Sequence, residues 1–163
     1  MFRFNRRRRH ESSDLISSSL YDENSFYKAF MNDLKQARVD VIIESPFITT
    51  KRIDELMPQI TNLIKRGVKV YVNTRDPIEH DYVYQLQAEA AVGALQSLGV
   101  TVLYTVGHHR KLAVIDRQII WEGSLNILSQ NRSSEIMRRI VSEQLTQQLI
   151  HFLRLNQQPW TII

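Results

Sequence analysis

The segment 107–126 brings together side chains that can act as nucleophile, proton donor and anion-binding group. His109 and Lys111 are separated by one residue, and so are Ser124 and Asn126. A neutral imidazole is a good nucleophile near pH 7, and an imidazolium is a good acid there. Lysine and asparagine add positive charge and N–H donors for anionic oxygens. The segment therefore favours acid–base or nucleophilic chemistry at an anionic group.

Both pairs have the spacing that places side chains on one face of an extended chain. Side chains alternate between the two faces of a strand, so His109 and Lys111 point one way and Arg110 points the other. Ser124 and Asn126 share a face in the same manner where the chain is extended. The apolar run Leu-Ala-Val-Ile follows Lys111 and anchors the predicted strand in a core. We therefore expect the two pairs to face a common site.

Upstream of this segment, three β-branched runs alternate with segments of helical periodicity. The predicted strands are 39–44, 68–73 and 100–106, and the predicted helices are 25–37, 52–65 and 81–98. A strand–helix–strand–helix–strand order is typical of a parallel sheet with right-handed crossovers. The three strands are apolar almost throughout, as strands buried on both faces are.

The spacing of elements changes after Val106. Short strands are predicted at 111–116, 118–122 and 135–142, and a last helix is predicted at 143–155. Their connections are too short for crossover helices, so part of the sheet should be antiparallel. The sequence therefore predicts an α/β fold with a mixed, mainly parallel β-sheet flanked by helices on both faces.

The composition limits the class of protein. The chain has 163 residues, the size of one domain, and its 43% of hydrophobic residues can form a core. It has no cysteine, so neither disulfides nor thiolate metal sites are available. No apolar stretch reaches the ~20 residues that span a bilayer, and the polar residues 10–19 do not fit a secretory signal. We expect a cytoplasmic protein without stable membrane insertion.

The net charge of +4 arises in one short segment, Arg6-Arg7-Arg8-Arg9. Without these four arginines, 17 basic residues match 17 acidic residues. We expect residues 1–20 to form a flexible basic arm and residues 21–163 to form the catalytic domain. A basic arm suits nucleic acid or an acidic membrane surface, and a solvated tail is the alternative that stays open.

The residue types and spacing of segment 109–126 resemble the HKD motif of the phospholipase D superfamily. The matched pattern is His109-x-Lys111-x4-Asp116, followed after six residues by Gly123-Ser124-x-Asn126. The resemblance covers about residues 22 to 155. It implies a phospholipase D-like α/β/α sandwich for the fold.

The resemblance also implies a metal-independent, cofactor-free reaction in two steps. One histidine attacks phosphorus and forms a phosphohistidine, while a second histidine protonates the leaving oxygen and then activates water. This chain carries one such motif, and His80 lacks the accompanying lysine. The resemblance therefore implies a homodimer in which two copies of His109 meet at a two-fold interface.

The resemblance also implies roles for further residues. Glu135 follows Asn126 by nine residues and is the candidate for a hydrogen bond to the catalytic imidazole. Asp116 and Gly123 are expected to support the site, and His108 is expected to point away from it.

Side chains that could contact substrate lie elsewhere in the chain. Glu44 and Ser45 end a predicted parallel strand, where sites tend to form in α/β sheets. Phe47 follows in a loop and could stack on a base. Arg6, Arg7, Arg8 and Arg9 could follow a polyanionic backbone.

The sequence favours a nuclease that hydrolyses DNA or RNA, with nucleic acid as its partner. Two alternatives stay open. The first is a phospholipase D or phosphatidyltransferase that acts on phospholipids. The second is a non-catalytic module that binds phosphate or nucleic acid. The motif recognises the phosphodiester and not its substituents, so it does not choose among them.

Overall fold

The computed structural model describes residues 16–129 and 132–155. The strands are β1 (Ser17–Asp22), β2 (Asp40–Glu44), β3 (Lys69–Thr74), β4 (Thr101–Tyr104), β5 (Leu112–Ile115), β6 (Ile119–Gly123) and β7 (Ile136–Val141). The helices are α1 (Phe26–Gln36), α2 (Thr50–Lys65), α3 (Tyr82–Ser97) and α4 (Glu143–Phe152), with a short 3₁₀ helix at Pro77–Glu79.

The strands form one mixed sheet in the order β1-β7-β6-β5-β2-β3-β4. β2, β3 and β4 pair in parallel through the crossover helices α2 and α3, so the predicted β-α-β-α-β unit is confirmed. The four other pairings among the described strands are antiparallel. The mixed α/β class is confirmed, but the expectation of a mainly parallel sheet is corrected. The short connections after β4 leave no room for further crossovers.

Helices cover both faces of the sheet, as predicted. On one face α1, α2 and α3 pack around a core that includes Phe26 and Trp121, both with no exposed surface. On the other face Ile150 of α4 packs against Ile42 and Val114. The second core is smaller and, among the described residues, includes none from β1, β6 or β7.

β1 is an element that the sequence did not predict. Residues 17–20 were assigned to the arm, but they pair with β7 in a register that joins Ser17 to Val141 and Leu20 to Arg138. The strand sits at the sheet edge with mostly exposed side chains, so it lacks the apolar alternation that predicts a strand. The rest of the predicted arm, including Arg6 to Arg9, lies outside the described residues.

Asp116 ties the first strand of the parallel unit to the antiparallel strands. It lies in the turn after β5 with φ of 52°. Its carboxylate accepts backbone N–H groups of Arg38 at 2.9 Å, Val39 at 2.7 Å and Asp40 at 3.2 Å. These contacts lie at the end of β5 opposite to segment 107–111, so Asp116 anchors the strand that follows the histidine and does not face it.

Three ion pairs fasten the second half of the chain to the first. Their acids come from α1 and β2, and their arginines come from the antiparallel part. The pairs are Asp33–Arg139, Asp40–Arg117 and Glu44–Arg110. Each acid is buried, so each depends on its arginine to offset the loss of water.

Candidate active site

His109 and Lys111 meet as the sequence predicts, although the regular strand β5 begins just after them. The Lys111 ammonium lies 3.2 Å from His109 Nδ1 and donates to the His109 carbonyl oxygen at 3.1 Å. The imidazole is exposed and the lysine is half-buried. Burial lowers the pKa of Lys111, and the nearby Glu135 carboxylate acts in the opposite direction. The pair therefore presents an imidazole beside a cation at an open surface.

Arg110 turns away from His109 and Lys111 to pair with Glu44, but it still borders the cleft that His109 and Lys111 line. Its Nη2 donates to Glu44 Oε1 at 2.7 Å, and its Nε donates to Oε2. Glu44 has no exposed surface and also accepts Asn73 Nδ2 at 3.1 Å. The sequence placed Glu44 among the substrate contacts. The structure corrects this, since a fully buried carboxylate cannot touch substrate and instead holds the residue between His109 and Lys111.

Ser45 and Phe47 are likewise engaged within the protein. Ser45 Oγ accepts the Leu128 N–H at 3.2 Å and donates to the Phe47 carbonyl at 3.0 Å. Ser45 is fully buried, so its expected contact with substrate is also corrected. It fixes the loop that follows Asn126. Phe47 is half-buried and packs with its ring centroid 5.2 Å from that of His80.

His108 is turned away from the open surface, as the sequence predicts. It is 3% exposed, and burial lowers its pKa. Its carbonyl oxygen accepts a bond from Arg75 Nη2 at 3.2 Å. A buried imidazole whose charged form is disfavoured is unsuited to be the second histidine that the resemblance implies.

Glu135 reaches the site through Ser124. Ser124 Oγ donates to the Glu135 carboxylate and accepts the Ile136 N–H at 3.1 Å. The second carboxylate oxygen accepts Ser133 Oγ at 2.7 Å. The sequence expected Glu135 to bind the imidazole directly. In the structure it orients the serine and acts electrostatically on Lys111.

Asn126 is held on the same loop with its side chain half-buried. Its backbone carbonyl accepts the Ser129 N–H at 3.1 Å. Its side-chain oxygen is buried and has no hydrogen-bond partner among the described residues. Buried amides are rarely left in this state, and those that are often belong to functional sites. The side-chain oxygen therefore contributes no hydrogen bond that holds the fold.

A cleft of about 790 Å³ lies at these groups, on the same face of the sheet as α4. It is lined by the predicted residues His109, Lys111, Gly123 and Ser124, and by Leu20, Arg110, Leu112, Glu122, Ile136 and Arg138. Asn126 and Glu135 are not among the residues that line the cleft. The sequence analysis does not assign the six residues from Leu20 to Arg138 in this list to the site. The spacing of Ile136 and Arg138 along β7 indicates that both lie on one face of the sheet. It does not identify the face that carries the site.

Gly123 is required where β6 passes β7 at the base of the cleft. A Cβ added there would overlap the Ile136 carbonyl oxygen and lie 2.9 Å from Met137 Cα. We expect Gly123→Ala to lower the free energy of unfolding by about 3 kcal/mol, because backbone atoms cannot move aside. Urea unfolding would measure this.

Gly93 in α3 provides the matched control for that substitution. A Cβ there meets nothing within 4 Å. Gly93→Ala should therefore stabilise the protein by about 0.5–1 kcal/mol through helix propensity. Equal stability of the two alanine variants would contradict the close approach at Gly123.

Two further features concern the described residues as a whole. Among residues 16–129 and 132–155, no group of three or more His, Asp or Glu side chains is placed to hold a metal ion. None of the helices in these ranges has the length and apolar character needed to cross a bilayer.

The fold and the site together define a phospholipase D-like domain. A model of the family described as cardiolipin synthase, PLD-like domain, matches residues 30–155. Because the match covers well over half of the 163 residues, the chain belongs to this family. The resemblance drawn from segment 109–126 is confirmed at the level of the superfamily. No curated protein sequence matches the chain.

Solved structures agree on the fold. Nuc from Salmonella typhimurium, a phospholipase D family member, is 15% identical with a TM-score of 0.69, over 85% of this chain and 92% of that chain. NucT from Helicobacter pylori is 17% identical with a TM-score of 0.66, over 85% and 94%. Phosphatidylserine synthase from Haemophilus influenzae is 18% identical with a TM-score of 0.67, over 89% of this chain but 39% of that chain.

Proposed function

We propose that this chain is a phosphodiesterase that hydrolyses nucleic acid through a phosphohistidine, in a homodimer whose active site lies on the two-fold axis. The observation that carries the proposal is the convergence of His109, Lys111 and Ser124 on one open cleft. A family member that only bound phosphate would not need an exposed imidazole beside the lysine.

The reaction follows from these groups. In the first step a neutral His109 nitrogen attacks phosphorus, a P–N bond forms and the P–O bond to the leaving group breaks. The leaving oxygen takes a proton from the protonated His109 of the partner subunit. In the second step that imidazole, now neutral, removes a proton from water. The water oxygen attacks phosphorus, the P–N bond breaks and the first His109 is free again.

The remaining groups stabilise the charge on the phosphoryl oxygens. Lys111 supplies positive charge beside the nucleophile, and the Asn126 amide supplies N–H donors. Ser124, oriented by Glu135, contributes a hydroxyl at the cleft wall. Glu135 also favours the charged form of Lys111, which burial disfavours. Buried Glu44 holds Arg110 and so the chain between His109 and Lys111, and buried Ser45 holds the loop after β6 at Leu128.

The exposure of His109 is the argument for the dimer. A single subunit leaves the imidazole open to solvent, and the histidine next to it is buried. A two-fold axis through this surface brings a second, identical imidazole to the same phosphate and covers both. The two histidines then titrate as a coupled pair, one neutral and one protonated.

The charge of the cleft favours nucleic acid as the substrate. Arg110, Lys111 and Arg138 line the cleft, and the arginine run 6–9 precedes the described residues.

A phospholipid is the second candidate substrate. Leu20, Leu112 and Ile136 give the cleft an apolar side that could contact acyl chains. The family description and the synthase fold point the same way. Labelled single- and double-stranded DNA, RNA and phosphatidylglycerol vesicles would be offered to the same preparation. Release of nucleotide fragments supports the proposal, and turnover of the vesicles alone replaces it with the phospholipid reaction.

Cleavage should continue in excess EDTA at a rate within about twofold of that without it, because Lys111 and Asn126 do the electrostatic work at the phosphoryl group. The measurement is the initial rate of DNA cleavage with and without chelator. A magnesium-dependent nuclease on the same DNA is the control and should stop. Loss of activity in EDTA that added magnesium restores would contradict the mechanism.

A further inference from the structure

The geometry points to Arg110 as the ligand of a second phosphate, next to the one that reacts, so that the cleft is built for a polynucleotide. This inference rests on the proposed function and specifies its substrate. Arg110 occupies the variable position of the His-x-Lys pair, and the motif assigns no role to it. It lines the cleft together with His109 and Lys111.

The guanidinium of Arg110 is only partly engaged. Its Nε and Nη2 donate to Glu44, and its side chain is 38% exposed. A guanidinium carries five N–H donors, so two bonds to one carboxylate leave the other edge of the fork free. That edge belongs to a residue on the cleft wall. It is suited to two parallel bonds with phosphate oxygens.

Glu44 gives this donor edge a fixed direction. The carboxylate is fully buried at the end of β2 and is held by Asn73 Nδ2 at 3.1 Å. Asn73 is held in turn by Thr105 Oγ1 at 2.9 Å. The pairing offsets part of the arginine charge, so the gain for a phosphate comes mainly from donors that are already oriented. A free surface lysine would lack this preorganisation.

The number of phosphates in the substrate decides whether this gain is realised. In a polynucleotide every nucleotide carries a phosphate, so a neighbour always stands beside the scissile group. Phosphatidylglycerol or a small diester offers one phosphate, which His109 and Lys111 contact. Arg110 therefore separates polynucleotides from single diesters.

The same strand supplies a matched control. Arg117 follows β5 at its other end and pairs with the buried Asp40 at 2.9 Å. It resembles Arg110 in charge, in partial exposure and in its buried acidic partner, but it is outside the residues that line the cleft. A change at Arg117 reproduces the structural cost of losing an ion pair without touching the site.

The test compares a short single-stranded oligonucleotide with bis(p-nitrophenyl) phosphate. For Arg110→Gln, the ratio of kcat/KM on the oligonucleotide to kcat/KM on the small diester should fall about tenfold to a hundredfold, mostly through KM. Arg117→Gln should leave the ratio within about twofold of wild type. The double variant Glu44→Gln/Arg110→Gln, which leaves no unpaired buried carboxylate, should show the same fall as Arg110→Gln.

Binding provides a readout that is independent of turnover. In the His109→Ala background, Arg110→Gln should weaken oligonucleotide binding. It should also reduce the slope of log affinity against log salt by about 0.7, the value for one lost contact to a single strand. An unchanged ratio and salt slope, or equal losses on both substrates, would show that Arg110 only positions its neighbours. If the wild type cleaves neither substrate, the proposed function fails, and the salt slope still decides the role of Arg110.

Discussion

His109→Ala should lower kcat on DNA by at least about 10³-fold, because no other described group is placed to form the covalent intermediate. The imidazole is exposed and makes its contacts with Lys111, so its loss removes little packing. The free energy of unfolding should stay within about 0.5 kcal/mol of wild type. Initial rates and urea unfolding on the same preparations would measure both quantities.

His151→Ala is the matched control for that variant. His151 is also an exposed histidine, in the last turn of α4, and it is outside the residues that line the cleft. We expect its activity to equal that of wild type. Residual activity of His109→Ala within tenfold of wild type would remove His109 from the role of nucleophile.

Mixing subunits gives the second large effect. If each reaction needs one His109 from each subunit, an equal mixture of wild-type and His109→Ala chains, refolded together, should retain about a quarter of the wild-type activity. Only the wild-type homodimers are then competent. Independent active sites would retain about half. The measurement is the initial rate at fixed total protein, with sedimentation to confirm that the chains pair.

Dilution is the companion test. A site shared by two subunits should lose specific activity as the protein is diluted below its dimer dissociation constant. An equal mixture of wild type and His151→Ala should keep full activity at every dilution that keeps the dimer. A fully active monomer in sedimentation would contradict the shared site.

The regular elements were predictable because their signals are local. Apolar β-branched runs mark β2, β3 and β4, and α2 between the first two shows amphipathic spacing. The observed bounds differ from the predicted ones by a few residues. β1 was not predicted, since its sequence Ser-Ser-Ser-Leu-Tyr-Asp lacks an apolar face. Its backbone partner β7 lies at the far end of the chain, and no local pattern reports such a pairing.

The site was predictable to the extent that alternation controls it. The common direction of His109 and Lys111, and the opposite direction of Arg110, follow from spacing alone. The partner of Arg110 does not follow from spacing, because Glu44 lies 66 residues away in the chain. Large separations in the chain also explain the corrections at Glu44 and Ser45. Both are polar residues at a strand end. Polarity suggested exposure, but both have partners that only the fold supplies.

The position of β2 in the sheet has a consequence during protein synthesis. β2 lies between β3 and β5, and all five of its residues are buried. While the chain leaves the ribosome, β3 reaches β2 early, but β5 emerges only after α2, β3, α3 and β4. One apolar edge of the nascent sheet therefore stays open during that interval and can pair with other chains. A pause in translation between β4 and β5 would promote aggregation, whereas a pause after β7 would not.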